Sequence, residues 1–346
     1  MVVMSTLEER KARILRAVVR DYIRTAEPVG SGAIVRRYRL GVSPATVRHE
    51  MAVLEELGFL VQPHTSAGRI PTDRGYRYFV DTLPTRLPLP AILRRGIVDF
   101  FDDPFGDVDV ALQGATQLLS RLTGHAAIAI PPRPADELVT HAELLVVGSS
   151  VLLLVVSDTG RVHKRALEFS EQPDGSLVHA VSGRLAEALP GRSYAEVRAM
   201  SRALAAEPGA GAPLLAAVAD ALEQLEDEPE PVFLGGVANI AGEEAFEHRE
   251  TLRRLVETLE ERTAVIRLLQ VGRPIEGGPL LVRIGSENPL RALREASVVL
   301  ARYGFGDRIV GTVAVIGPTR MEYPAVMSTA RAVAGRLSDL VGQLSA

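Results

Sequence analysis

The first sixty residues carry three runs of apolar side chains spaced three or four positions apart, with turn residues between them. This spacing predicts a helix within 1–25, a short helix from Ser31 or Gly32 to Tyr38, and a third helix that begins at Pro44. Ser43 before that third helix is a good N-cap, because its hydroxyl can accept a hydrogen bond from a free amide of the first turn. The apolar stripe of this helix comprises Val47, Met51, Leu54 and Leu57.

A short hairpin follows the third helix, which Gly58 ends. The pattern predicts two strands, Phe59–Gln62 and Arg69–Pro71, joined by a turn at 63–68. Thr72 and Asp73 then begin another helix. Three helices followed by a basic hairpin are the outline of a winged helix-turn-helix. We therefore predict a DNA-binding domain at 1–86 and a linker at 84–90, where three prolines occur in seven residues.

The rest of the chain alternates between helical and strand patterns. Residues 91–122 are helical with a break at 102–106, and three strand-like runs of an antiparallel meander follow at 138–147, 151–157 and 161–169. The stretch 177–262 is mostly helical. Strand patterns return at 267–269, 279–284, 297–303 and 310–316, before a final helix at about 324–344.

This order predicts an α+β multidomain protein in which one domain is interrupted by another. Strands lie both before and after the helical block, so the simplest arrangement is one α+β domain interrupted by an insertion. On this interpretation the α+β domain comprises 91–176 and 263–346, and the insertion comprises 177–262.

Composition narrows the class of protein. The chain of 346 residues is 47% hydrophobic, lacks cysteine, and has no apolar run long enough to span a membrane, which predicts a cytoplasmic protein without disulfides or thiol catalysis. Its net charge of −4 is unevenly distributed. Residues 1–86 carry 14 basic and 9 acidic side chains, a net +5, and the remainder carries −9. A basic domain on an acidic body is typical of a modular DNA-binding protein.

The outer face of the third helix holds the candidate base contacts. Arg48 can form a bidentate pair with guanine, Thr46 can contact a thymine methyl group or a phosphate, and His49 can bond to a base edge. Ser43 lies at the start of the same helix. The alternative is that these side chains are merely solvated on an ordinary amphipathic helix. The hairpin that follows favours DNA binding.

The hairpin and the helix after it supply candidate phosphate contacts. Thr65, Ser66 and Arg69 are expected at the tip of the wing, where they can reach a phosphate or the minor groove. Arg74 and Arg77 are expected to contact phosphates, although either can instead pair with Asp73 or Asp81. Helical spacing favours core packing, rather than base stacking, for the nearby aromatic residues.

Several motifs of the chain resemble the heat-inducible transcription repressor HrcA family. In the N-terminal part these are EPVGS at 27–31, LGVSPATVRHEM at 40–51, LEELGFL at 54–60 and QPHTSAGRIPTDRGYRYFVD at 62–81. In the C-terminal part they are FLGGVANIAG at 233–242, IGSENPLRALREASVVLARYGF at 284–305 and GTVAVIGPTRMEYPAVMS at 311–328. The chain departs from the family at His49, where the family usually has Asn.

The resemblance implies a fold, a function and partners. The fold is a winged-helix domain followed by a GAF-like domain, with a dimerisation domain inserted into the latter. The function is repression of heat-shock and chaperone operons by a homodimer that binds double-stranded DNA at an inverted repeat called CIRCE. The chaperonin GroEL is implied as a partner that keeps the repressor active.

The residues leave two other functions open. A ligand-responsive winged-helix regulator would sense a small molecule through its GAF-like domain. An enzyme is disfavoured, because the chain has no P-loop, no H-E-x-x-H, no G-x-S-x-G and no G-x-G-x-x-G after a strand. No cofactor and no metal are expected.

Overall fold

The N-terminal domain consists of four helices and a two-stranded hairpin, in the predicted order. The computed structural model describes residues 7–344 except 66, 85–86, 106, 170–171, 190, 242–248, 262 and 267–279. The elements of this domain are α1 (Glu9–Thr25), α2 (Ser31–Tyr38), α3 (Pro44–Glu56), β1 (Leu60–Val61), β2 (Ile70–Pro71) and α4 (Asp73–Asp81). The two strands pair antiparallel, so the winged-helix prediction for this part of the chain agrees with the structure.

The apolar stripe of α3 packs on α1. Val47, Met51 and Leu54 are buried, as predicted, and lie in one core with Ile14 and Leu15 of α1. The prediction for Leu57 was wrong, since this side chain is 41% exposed. The reason is local. Helix α3 ends at Glu56, and Gly58 takes a positive φ of 76° that turns the chain away.

Seventeen further α-helices and β-strands are described after the linker. They are α5 (Ala91–Asp102), α6 (Val108–Thr123), β3 (Ala126–Ile130), β4 (Leu138–Val147), β5 (Ser150–Ser157), β6 (Val162–Leu167), α7 (Gly175–Ala188), β7 (Arg192–Ser193), α8 (Tyr194–Ala205), α9 (Ala212–Asp227), β8 (Phe233–Gly235), α10 (Val237–Ala241), α11 (Arg249–Glu260), β9 (Leu280–Ile284), β10 (Ala296–Phe305), β11 (Arg308–Pro318) and α12 (Tyr323–Leu344).

A five-stranded antiparallel sheet forms the centre of what we call the sheet domain, described residues 91–130 and 233–344. Its strand order is β8-β3-β11-β10-β9. Val299 and Val313 face a core shared with α6 and α12, whereas Val298 and Leu300 face a second core shared with α11. Helices cover both faces, so these strands read as continuous apolar runs rather than alternating ones.

A four-stranded sheet and three helices form what we call the inserted domain, residues 138–227. The strand order is β6-β5-β4-β7, and all neighbouring pairs are antiparallel. Apolar residues of β4, β5 and β6 share a separate core with α7, α8 and α9. Ser193 caps α8, accepting a hydrogen bond from the amide of Glu196.

The structure divides the chain at different residues from those predicted. We expected the meander of β4–β6 in the α+β domain and all of 177–262 in the insertion. Instead the meander packs on the inserted helices, whereas β8 pairs with β3 and α11 packs on the five-stranded sheet. A meander satisfies its own hydrogen bonds locally, so its pattern does not reveal which neighbouring core it joins. The strand predicted at 267–269 lies outside the described residues.

Ion pairs join the inserted domain to the sheet domain. Arg161 beside β6 donates from Nε to Asp109 Oδ1 of α6 at 2.9 Å, and Arg308 of β11 pairs with Asp158. Arg161 is nearly inaccessible and also donates from Nη1 to the carbonyl of Pro132 at 3.0 Å. These contacts therefore fix the inserted domain to the end of the five-stranded sheet where β3 ends and β11 begins.

Within the described parts of the chain, no helix is long and apolar enough to cross a membrane.

Candidate nucleic-acid interface

Helix α3 begins with a complete side-chain cap. The Oγ of Ser43 accepts from the amide of Thr46 at 3.1 Å, and the two hydroxyl oxygens lie 2.9 Å apart. Pro44 occupies the first helical position, where no amide donor is required. Ser43 and Thr46 are therefore engaged with each other, although Ser43 remains exposed at the helix start.

A buried ion-pair cluster fixes the rotation of α3 about its axis. The carboxylate of Glu50 is buried on the inner face and lies 2.6 Å from Nη2 of Arg10 and 3.4 Å from Nζ of Lys11, both on α1. A buried carboxylate that lost these cations would be strongly disfavoured. The pair thus orients the opposite face of α3 outward. The sequence analysis did not identify Glu50, whose place between Val47 and Met51 is consistent with an inward position.

The outer face of α3 presents Arg48 and His49 to solvent. Both side chains are exposed, and no ion pair or hydrogen bond of either side chain occurs within the described residues. Small residues flank them, since Ala45 is exposed and Ala52 half-buried. A slim helical face with free donors can enter a major groove and bond to base edges. Arg48 and His49 thus lie on the exposed face of α3, where the sequence pattern placed them.

The wing is closed by one glutamine. Gln62 donates from Nε2 to the carbonyls of Thr65, at 3.0 Å, and Ala67, at 2.9 Å. The backbone amide of Gln62 donates to Oε1 of Glu55 at 3.1 Å, which connects the wing to the end of α3. Thr65 is exposed on the loop of the wing. The prediction for Ser66 lies outside the described residues.

Arg69 does not lie at the wing tip, contrary to the prediction. It begins the return of the hairpin, and its amide and carbonyl pair with Val29 at 3.0 and 2.9 Å. Its side chain is only 14% exposed and donates from Nε to Oε2 of Glu55 at 2.9 Å. The close approach of Gly68 to the backbone of Val29 places this part of the hairpin against the domain. Arg69 therefore braces the wing.

Arg74 has an internal partner, although its side chain is exposed. Its Nη1 donates to the carbonyl of Leu57 at 2.8 Å, and its guanidinium carbon lies 4.5 Å from the ring centroid of Phe59. This carbonyl belongs to the unsatisfied C-terminal end of α3, where a cation is favourable. The side chain of Arg74 thus ties α4 to the end of α3.

Arg77 is engaged with the sheet domain and is not free for the phosphate contact that the sequence predicted. It pairs with Asp81 at 3.2 Å, the alternative left open by the sequence, and with Glu287 of the sheet domain. Its Nη2 also donates to the carbonyl of Val282 at 2.6 Å. Burial alone would lower the pKa of Arg77, but the hydrogen bond and charge of Glu287 raise it above its usual value.

A groove of about 390 Å³ on the first domain collects three further arginines of α1, which the sequence analysis did not single out. Arg13, Arg16 and Arg20 line it together with Tyr38. Their spacing of three and four residues already places them on one helix face. They contribute to the positive charge of the domain as a whole, which attracts polyanions at long range.

Among the described residues, no group of three or more histidine, aspartate or glutamate side chains forms a site for a metal ion.

Known proteins resemble this chain over most of its length. The profile described as the HrcA protein C terminal domain matches residues 109–327. The heat-inducible transcription repressor HrcA of Thermobifida fusca is 41% identical over 341 residues, which cover 97% of this chain and 98% of that relative. The protein of the same name from Acidothermus cellulolyticus is 41% identical over 344 residues, or 97% of this chain and 99% of that relative.

A solved structure shares the overall fold. It is described as a hypothetical protein, superposes with a TM-score of 0.69 at 24% sequence identity, and covers 98% of this chain and 99% of its own.

Proposed function

The chain belongs to the HrcA family of heat-inducible transcription repressors, and we propose that it represses heat-shock and chaperone operons by binding a CIRCE-type inverted repeat as a homodimer. The observation that carries this proposal is the outer face of α3, on which Arg48 and His49 are exposed without an internal partner among the described residues. The family consists of transcription regulators and not of enzymes, so no residue is assigned a catalytic role.

Specificity would come from α3 in the major groove. The guanidinium of Arg48 has the planar pair of donors that matches the O6 and N7 acceptors of guanine. The imidazole of His49 can donate to or accept from a neighbouring base edge, and Thr46 lies one turn closer to the helix start. Ser43 and the free amides of the first turn form a positive helix end that suits a phosphate.

Affinity would come from the DNA backbone, through fewer side chains than the sequence suggested. Arg69 and Arg77 are partly buried and have internal partners, so they contribute through long-range charge rather than through direct contact. Arg74 is exposed and uses only Nη1 internally, so it stays a candidate for a phosphate contact. Thr65 on the wing remains a candidate for a phosphate contact. The overall charge of +5 in residues 1–86 supports binding that weakens steeply as salt increases.

Two copies are required to read an inverted repeat, and the inserted domain offers a surface for pairing. Three apolar side chains at the end of β4 are 36%, 48% and 59% exposed, namely Leu145, Val146 and Val147. Adjacent exposed apolar residues of this kind are typical of an interface. A two-fold axis between two copies would let one α3 helix bind each half-site.

The activity of the repressor would depend on chaperonin availability, an inference that rests on the family resemblance alone. A repressor of marginal stability that needs GroEL to fold can report on the folding capacity of the cell. When heat diverts the chaperonin to unfolded proteins, the amount of active repressor falls and transcription rises. Such a DNA-bound repressor acts in the cytoplasm, beside the chromosome.

In vitro transcription tests this function. Two templates would carry the same promoter, one with the inverted repeat and one with the repeat scrambled. The protein is expected to suppress transcription from the repeat template only, either alone or after GroEL has been added. Equal transcription from both templates, with and without GroEL, would contradict the proposal.

A further inference from the structure

Helix α4 joins the DNA-binding domain to the sheet domain through a set of polar contacts that we call the clasp. The clasp consists of Asp73 and Arg77 on α4 and of Val282, Ser286 and Glu287 on the sheet domain. Oδ2 of Asp73 accepts from the amide and from the hydroxyl of Ser286, each at 2.8 Å. Nε of Arg77 donates to Oε1 of Glu287 at 2.7 Å, and its Nη2 donates to the carbonyl of Val282.

The turn that carries Ser286 and Glu287 is shaped for these contacts. Gly285 has a positive φ of 52°, and a Cβ at this position would lie 2.3 Å from the carboxylate oxygens of Asp73. Any other residue would therefore displace the Asp73 carboxylate and weaken its contact with this turn. Oε2 of Glu287 also accepts a hydrogen bond from the backbone amide of Ile284 at 2.9 Å. The turn therefore orients this carboxylate independently of Arg77.

A buried aromatic contact extends the clasp into the centre of the sheet domain. The rings of Tyr76 on α4 and Tyr323 on α12 lie 6.0 Å apart between centroids, and both side chains are buried. The hydroxyl of Tyr323 lies 2.7 Å from Oγ of Ser297 on β10 and donates to the carbonyl of Thr319 at 2.6 Å. The contact between the two domains therefore combines a buried aromatic pair with charged hydrogen bonds nearer the surface.

Covalent connection alone would not hold the DNA-binding domain in one orientation. The chain that leaves α4 runs from Thr82 to Pro90 before α5 begins, and several of these residues are exposed. A tether of this length permits many orientations. Fixed orientation must therefore come from noncovalent contacts, and the clasp supplies charged hydrogen bonds at this joint.

We propose that the clasp is a specificity device, which rests on the proposed function: it holds each α3 at a fixed position on the dimer and so sets the distance between the two half-sites that the repressor accepts. The linkage of two binding modules gains affinity only where geometry lets both engage at once. A rigid joint restricts that gain to one spacing. A loosened joint would spread it over several spacings and lower the maximum.

The test alters only the sheet-domain side of the clasp, so that the DNA-contacting residues keep their chemistry. Full-length wild-type protein and the double variant Ser286→Ala/Glu287→Gln are titrated against duplexes that carry the inverted repeat. The spacer has its natural length or is longer by about five base pairs, half a helical turn. Arg95→Ala is the matched control, because Arg95 forms an exposed pair with Asp99 on α5, away from the clasp.

The wild type and Arg95→Ala are expected to prefer the natural spacing by about 100-fold, and the double variant by less than about 10-fold. Affinity for a duplex with a single half-site should stay equal in all three proteins. If the double variant keeps the wild-type spacing preference, the clasp does not set spacing.

A charge-reversal pair distinguishes loss of the clasp from loss of folding. Arg77→Glu is expected to lose the spacing preference, and the double variant Arg77→Glu/Glu287→Arg to regain part of it, because the ion pair is restored with reversed sign. Failure of the reversed pair to recover any preference, while Arg77→Glu alone still binds the half-site, would also overturn the inference. If the wild type itself does not prefer the repeat to a scrambled duplex, the proposed function fails instead.

Discussion

The four arginines that the sequence marked as DNA contacts fall into two groups according to what their guanidinium groups contact. Arg69, Arg74 and Arg77 meet Glu55, the carbonyl of Leu57 and Glu287. Arg48 instead extends into solvent on the outer face of α3. Sequence reasoning treated all four as DNA contacts, because their charges are alike. Their partners lie 14, 17 and 210 residues away along the chain, where no local pattern reveals them.

Substitution of Arg48 by alanine should reduce specific DNA binding and leave non-specific binding almost unchanged. We expect a loss of roughly 1–3 kcal/mol on the inverted repeat, which is the value of one bidentate base contact. Fluorescence anisotropy with repeat and scrambled duplexes measures both affinities. Arg95→Ala serves as the control for the loss of one exposed positive charge. An equal loss of affinity for both duplexes would show that Arg48 contacts a phosphate and not a base.

Substitution of Glu50 by alanine should destabilise the first domain. Its buried carboxylate pairs with Arg10 and Lys11, and charge-assisted hydrogen bonds of this kind contribute about 1.5–3 kcal/mol. Thermal unfolding followed by circular dichroism would show a lower Tm. Glu8→Ala is the control, because Glu8 pairs with Lys11 while largely exposed, and its loss should leave Tm unchanged. An unchanged Tm in the Glu50 variant would contradict the role assigned to this pair.

Secondary-structure elements were largely predictable from the sequence, whereas their assignment to sheets was not. The cap at Ser43, the end of α3 near Gly58 and the hairpin of the wing follow from local chemistry, and the structure has all three. The strand patterns at 138–167 also correspond to strands. The choice of sheet depends on packing against helices α7–α9, and hydrophobic periodicity within one strand does not specify its distant neighbours.

Substitution of Val147 by aspartate should weaken the homodimer. Val147 is 59% exposed at the end of β4, so the change leaves the inserted core intact but would place a charge in the proposed interface. We expect at least about a tenfold higher dissociation constant in sedimentation equilibrium, since an unpaired buried charge is costly. Ile92→Asp on α5, which replaces an 81% exposed residue of the sheet domain, is the matched control. A Val147→Asp protein that stays as dimeric as the control would move the interface elsewhere.

The whole molecule combines a basic reading domain, a central sheet domain and an inserted domain, each held to the next by charged contacts. Asp73 and Arg77 connect the first two, and Arg161 and Arg308 connect the last two. Polar contacts of this kind are directional, so they suit a protein whose domains must keep fixed orientations relative to one another. Under the proposed function, this geometry determines which DNA sites the repressor occupies.

Sequence-specific binding to an inverted repeat is tested by a titration of the purified protein. The protein is titrated against a duplex with the CIRCE-type repeat and against a scrambled duplex, at two salt concentrations and with or without GroEL. We predict a preference for the repeat of about a thousandfold or more, with affinity for both duplexes falling steeply as salt rises. Equal affinity for both duplexes, even with GroEL present, would show that the protein does not recognise the sequence of the repeat.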